Sequence, residues 1–178
     1  MLKHILIPLD GSALAEQALP WARQILNPDG KVTLVTAVHV PDALSPAFAG
    51  ALPRARSEME LTGLADYSRW EQKVTQDVYR YLEDMAQSLK RSIAPALAVD
   101  FVVASGDPAS LIVETAQEKK VDAILMSTHG RSGLQRWLFG SVAVRVLESR
   151  VCPVFTIPGT QVETVKDNAA SRGAVQPT

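Results

Sequence analysis

Apolar and polar positions follow two rhythms along this chain. Ile5 to Leu9, Val32 to Val40, Leu97 to Ala104, Ala123 to Ser127 and Val154 to Ile157 are short runs of mostly apolar or β-branched residues. The second of them, "VTLVTAVHV", is nearly continuous, which predicts a strand covered on both faces, as in a parallel sheet. Between the runs the spacing lengthens to that of helices. Val74, Val78, Leu82, Met85 and Leu89 trace one face of a long amphipathic helix. Leu14, Ala18, Trp21 or Ala22, and Ile25 recur at helical spacing after the first run, with Pro20 predicting a kink. Ser141 to Ser149 predicts one more helix.

Local chemistry marks the boundaries. Asp10-Gly11-Ser12 predicts a turn with Ser12 capping the helix that follows, and Asn27-Pro28-Asp29-Gly30 ends that helix. Ser68 and Glu71 have capping-box spacing. Gly106-Asp107-Pro108 predicts a turn into a helix with Asp107 as cap and Pro108 at its first position, and Lys119 and Lys120 favour the dipole at its end. Residues 41–66, rich in proline, alanine and glycine, read as a long excursion, a lid or a partner surface. Gly159 to Thr178 is polar with little periodicity and predicts a flexible C-terminal tail after a single domain over 1–158. Strands alternating with helices predict an α/β fold, an open five-stranded parallel sheet with helices on both faces, Rossmann-like.

Composition narrows the function. The chain of 178 residues has 47% hydrophobic and 21% charged residues, ordinary for a globular protein. Its formal net charge of -1 supplies no field for nucleic acid or anionic lipid. No apolar run is long enough to span a membrane, and the first residues read as a buried strand instead of a signal peptide, so the expected location is cytoplasmic. One cysteine, Cys152, excludes an internal disulfide and any cysteine-pair metal site; beside Pro153 it reads as a small buried hydrophobe. With three histidines, a zinc site is not expected either.

"STHGRSGLQRWLFGS", residues 127–141, joins the fourth strand to the next helix. Gly130 and Gly133 allow close backbone approach to a bulky anion, although taken alone they also make a turn. Gly140 and Ser141 open a helix whose free N–H groups favour negative charge, and Ser141 adds a hydroxyl. In open parallel sheets ligands bind beyond the carboxyl ends of the strands where the strand order reverses, and the Asp10 turn leaves a strand at such an end too. Donors in two separated clusters suit a polyphosphate better than a carboxylate. The reading is a phosphate cradle, with residues 134–139 as an apolar flap between its halves.

The chain resembles the universal stress proteins over nearly all of residues 1–158. "ILIPLDGS" at the first strand, "AVHV" ending the second, "STHGRSGLQRWLFGSVAVRVL" and "CPVFTI" carry the resemblance. Members with Gly-x2-Gly-x9-Gly-Ser/Thr bind ATP, and some bind AMP. Gly130, Gly140 and Ser141 satisfy the last part of that pattern, while Ser127 stands at the first glycine and puts close approach there in question. The resemblance implies an adenine nucleotide alpha hydrolase-like fold and a homodimer through the last strand, Val154 to Ile157, whose apolar edge otherwise stays exposed. It implies Asp10 near ribose and adenine, the Val40 backbone at the adenine edge, and Gly130, Gly133, Gly140, Ser141 and Val142 around the phosphates. It also takes in Pro8 and Leu9 beside Asp10, and Met126 and Ser127 at the fourth strand. His129 and Arg131 flank the cradle, where each either touches phosphate or stays solvated. Asp10 alone also reads as a turn former. Mg²⁺ or Mn²⁺ enters only with the bound phosphates, since no carboxylate cage is visible.

Several chemistries are missing. There is no Gly-x4-Gly-Lys-Ser/Thr, no Gly-x-Gly-x-x-Gly after the first strand, and no Gly-x-Ser-x-Gly to present Ser12 as a nucleophile. The Asp10 turn lacks the Ser-Gly-Gly-x-Asp-Ser run of related ATP-cleaving synthetases. His4 and His39 read as core or edge residues, and Trp21, Trp70 and Trp137 form no stacking stripe. The expected function is a stress-response regulator that binds an adenine nucleotide, with at most weak ATPase activity. The alternatives are a stress adaptor that has lost nucleotide and acts through protein partners, and a slow phosphohydrolase or nucleotidyl-transferring enzyme. An RNA site is weaker still: Gly-Arg-Ser-Gly is similar to a KH-type loop, but the strand-to-helix setting and the charge oppose it.

Overall fold

Five parallel strands account for the apolar runs. The computed structural model describes residues 1–38, 67–128 and 140–159. In chain order these form β1 (Leu2–Pro8), α1 (Ala13–Glu16), α2 (Leu19–Ile25), β2 (Leu26–Val38), α3 (Tyr67–Ser92), β3 (Ala98–Ser105), α4 (Pro108–Glu118), β4 (Ala123–Thr128), α5 (Ser141–Ser149) and β5 (Val154–Pro158). The sheet order is β3-β2-β1-β4-β5, so the chain winds outward from β1 in one direction and later returns to its other side. The predicted open sheet is present. The 41–66 excursion and the tail beyond Gly159 lie outside the described residues.

Alternation along the strands sends side chains to two cores. Ile5, Ile7, Leu34 and Leu125 join Ala22, Val74, Val78, Leu82 and Leu89 under α1, α2 and α3. Leu6, Val35, Ile124 and Met126 join Ile112, Ala116, Ala143 and Val146 under α4 and α5. Each fully buried aliphatic side chain contributes about 1.5–3 kcal/mol relative to exposure. The stripe read on the long helix is the buried one, with Met85 packed at its margin.

Three local readings change. The segment after the Asp10 turn is two helices instead of one kinked helix. Pro20 has no N–H for the Glu16 carbonyl four residues back, and α1 stops at Glu16 while Pro20 sits in the first turn of α2, which begins at Leu19. Residues 27–30 end the helix but belong to β2, as an irregularity between the pairs Leu2↔Leu26 and His4↔Lys31. Gly30 is required there, because a Cβ would come within 2.8 Å of the Asn27 and Lys3 carbonyl oxygens. Ser68 lies inside α3, which already runs at Tyr67, so it is no N-cap. By contrast Asp107 caps α4 as read, its carboxylate accepting from the Ser110 N–H at 2.8 Å.

Candidate functional site between the central strands

The strand order reverses at β1, and there the pairing between central strands is short. β1 has registered partners on β2 as far as Pro8↔Val35. On its other side it pairs with β4 only at Ile5↔Ala123 and Leu6↔Ile124, although β4 continues to Thr128. The cause is local. N–H groups of a central strand alternate between its neighbours, and the Leu9 N–H goes to the Val35 carbonyl of β2 at 2.8 Å. The neighbouring position on the β4 side is the Pro8 nitrogen, which has no hydrogen to give. Registered pairing of the two central strands therefore stops short of their carboxyl ends, the region where ligands of such sheets bind.

On one side of this sheet end lies the turn after β1. Gly11 takes φ of +76°, a conformation that favours glycine. The Ser12 N–H and hydroxyl both donate to Asp10 Oδ1, at 3.0 and 2.6 Å. Ser12 Oγ in turn accepts the Ala15 N–H at 3.1 Å and caps α1. The carboxylate is thus held by one oxygen. Among the described residues no hydrogen bond reaches Oδ2, and Asp10 is exposed. Beneath the turn, the Thr36 hydroxyl donates to the Leu9 carbonyl at 2.9 Å in a buried position.

On the other side lie the end of β4 and the start of α5. Gly140 is the N-cap of α5 with φ −59° and ψ 157°, and it gives no side-chain cap. The first turn contains no acidic residue, Ser141 is exposed and Val142 is half-buried. Unpaired N–H groups and the helix dipole make this end attractive to an anion. Arg145 on α5 donates to Asp107 Oδ1 at 2.5 Å and to Ser110 Oγ at 3.4 Å, tying α5 to the start of α4. That guanidinium is the main reason the Asp107 carboxyl is held at about 2.

Ser127 has an unexpected placement. Its registered neighbour Ile157 and the preceding odd residue Leu125 belong to the core under α1 to α3, so its side chain faces that side. Met126 packs on the α5 side. The Ser127 hydroxyl is fully buried and has no hydrogen-bond partner among the described residues. Pro8, Leu9, Asp10, Met126, Ser127, Gly140, Ser141 and Val142 thus sit on the strand ends, the turn and the helix start at this one end of the sheet. Val40, His129, Gly130, Arg131 and Gly133 lie outside the described residues.

Two neighbours of the Asp10 turn escape the sequence. The Tyr81 hydroxyl, on α3, donates to Glu16 Oε1 at 3.0 Å. Burial, then the negative charges of Glu16 and Asp10, push the Tyr81 phenol far above its ordinary value. A helical stripe marks Tyr81 only as a core neighbour; nothing local links it to a residue 65 positions away. Elsewhere, burial raises the Cys152 thiol, and His4 Nε2 lies 2.9 Å from Thr33 Oγ1. Among the described residues no group of three acidic, histidine or cysteine side chains is arranged to hold a metal ion, and no helix is long and apolar enough to cross a membrane.

Known proteins share this fold. The model of the universal stress protein family matches residues 1–158. A universal stress protein of Methanocaldococcus jannaschii is 34% identical over 158 residues, covering 88% of this chain and 82% of that protein. A solved universal stress protein family member from Arabidopsis thaliana, with AMP bound, superposes with a TM-score of 0.58 at 17% identity, over 94% of this chain and 98% of its own. A universal stress protein in complex with cAMP superposes at 0.56 and 20% identity, over 89% and 98%. At those identities the superpositions establish the fold.

Proposed function

This chain belongs to the universal stress protein family, and on that footing we propose that it is a stress-response regulator binding an adenine nucleotide, ATP or AMP, at the carboxyl ends of β1 and β4. The observation that carries the reading is the end of pairing between two central strands, with the Asp10 turn on one side and the uncapped α5 on the other. In this reading Asp10 Oδ2 accepts from donors of the nucleoside, and the N–H groups of Ser141 and Val142, with the Ser141 hydroxyl, donate to phosphate. Pro8, Leu9 and Met126 line the strand ends. Ser127 takes part through its backbone, since its side chain faces the other core. Val40, His129, Gly130, Arg131 and Gly133 join the site by the family pattern. Relatives solved with AMP and with cAMP support the nucleotide class.

Mg²⁺ or Mn²⁺ enters this scheme with the phosphates. β5 is an edge strand whose Phe155 is 41% exposed, which supports a homodimer pairing β5 to β5. The testing experiment is to denature freshly purified protein, identify released nucleotide, and titrate ATP and AMP onto the stripped sample. Micromolar binding, about 8 kcal/mol, is expected. No binding at millimolar ATP would replace this reading with a nucleotide-free adaptor.

A further inference from the structure

The turn that presents Asp10 leans on a helix that cannot stand alone. α1 has four residues, fewer than an isolated helix needs. Residues 17 and 18 separate it from α2, whose first turn holds Pro20. On one side Leu14 lies against Gly159, where any Cβ would overlap it. On the other, Glu16 Oε1 accepts the Tyr81 hydroxyl at 3.0 Å in a half-buried position. Tyr81 is itself anchored, packed on the core beside the fully buried Val78 and Leu82 of α3. The remaining links run back along α1. The Glu16 N–H donates to the Ser12 carbonyl at 3.2 Å, and Ser12 donates twice to Asp10 Oδ1.

We propose that Tyr81 is a positioning residue for the nucleotide site: through Glu16 and α1 it holds the Asp10–Ser12 turn in the conformation that presents the Asp10 carboxylate to the bound nucleotide. The inference rests on the reading of this sheet end as a nucleotide site. The Tyr81 hydroxyl is the donor and Glu16 Oε1 the acceptor at 3.0 Å, so Tyr81→Phe removes this tie alone. α3 thereby stiffens the ligand site from the far side of α1.

Tyr81→Phe keeps the ring and deletes the hydroxyl. Two readouts separate this inference from the function it rests on. In nucleotide-free protein, amide exchange over residues 12–16 is expected to quicken about tenfold, the equivalent of one lost hydrogen bond. ATP affinity is expected to fall about tenfold, and by less than twofold when the change is made in an Asp10→Asn background. Glu16→Gln, which keeps an acceptor for the hydroxyl, is expected to lose less affinity than Glu16→Ala. Unchanged exchange in Tyr81→Phe, or a tenfold loss that persists without the Asp10 carboxylate, would overturn the inference while leaving nucleotide binding in place. Faster exchange in a protein that binds no nucleotide in any form would support the tie and overturn the function.

Discussion

The two ends of the sheet treat polar groups in opposite ways. Toward the amino ends of the strands they are paired with one another. Asp122 accepts the Lys3 and His4 N–H groups at 2.7 and 2.8 Å, joining β1 to β4. Asp100 Oδ2 lies between Lys119 Nζ at 2.9 Å and Lys31 Nζ at 3.0 Å. Toward the carboxyl ends of β1 and β4, groups are left over. Pro8 offers no donor, α5 starts without a side-chain cap, Ser127 Oγ finds no partner among the described residues, and Asp10 is engaged through one oxygen. Polar groups that satisfy each other hold a fold. Exposed ones at the end of pairing between central strands, such as Asp10 and the start of α5, are served by water and stay open to a ligand. The buried Ser127 hydroxyl instead bears the cost of having no partner among the described residues.

Mutations at the two ends should therefore separate binding from stability. The largest effect is expected from Gly140→Val. Its φ and ψ suit any residue, so the fold should persist while the new side chain blocks the start of α5. Titration should show ATP affinity about a hundredfold weaker, the loss of roughly two charge-assisted hydrogen bonds. Unaltered affinity in the folded variant would break the contrast at its functional end. Asp122→Ala should do the reverse, lowering stability in urea by about 1 kcal/mol, a figure already discounted for its exposure, with ATP affinity unmoved. A smaller effect of opposite sign is expected from Ser127→Ala. Removing an unpartnered buried hydroxyl should leave stability unchanged or raise it by less than about 1 kcal/mol. A clear loss would show that the hydroxyl has a partner after all.

The smallest expected effect is on acid stability. Hydrogen bonds from Lys119 and then Lys31 hold the Asp100 carboxyl at about 2, below its ordinary 3.8. A depressed folded value means that the unfolded chain binds the proton first. The contribution of Asp100 is then complete above about pH 4 and disappears as pH falls toward about 2. Asp100→Asn should give a shallower stability slope in that window and none elsewhere. His4 has its own, higher window. Burial, then Lys31, lowers its value below 6.5, so stability should start to decline as pH drops through 6.5. A slope unchanged in His4→Asn would remove it from the paired set.

Local chemistry made some of these features legible. The Ser12 and Asp107 caps, the bounds of α5 and the buried stripe of α3 follow from nearest-neighbour rules, and the structure has them where those rules place them. Asp10 and Gly140 stood out because a turn and a helix start advertise themselves in a few residues. Pro20 was visible as a disturbance, but whether it kinks or divides a helix depends on what α1 and α2 each pack against. The Asn27–Gly30 stretch looks like a plain stop, and its place in β2 follows from pairing with Leu2 at the other end of the chain segment.

By itself the sequence determined the element types, their order and the parallel character of the sheet, because apolar period and capping act over a turn or a strand. Only the tertiary structure decided the strand order, and with it the meaning of Pro8, a proline that gives β4 no N–H because β4 returns beside β1 from more than a hundred residues away. It likewise turned Ser127 away from the α5 side and joined Tyr81 to Glu16. Such pairings are settled by which distant surfaces close on each other, and no short stretch of chain carries that information.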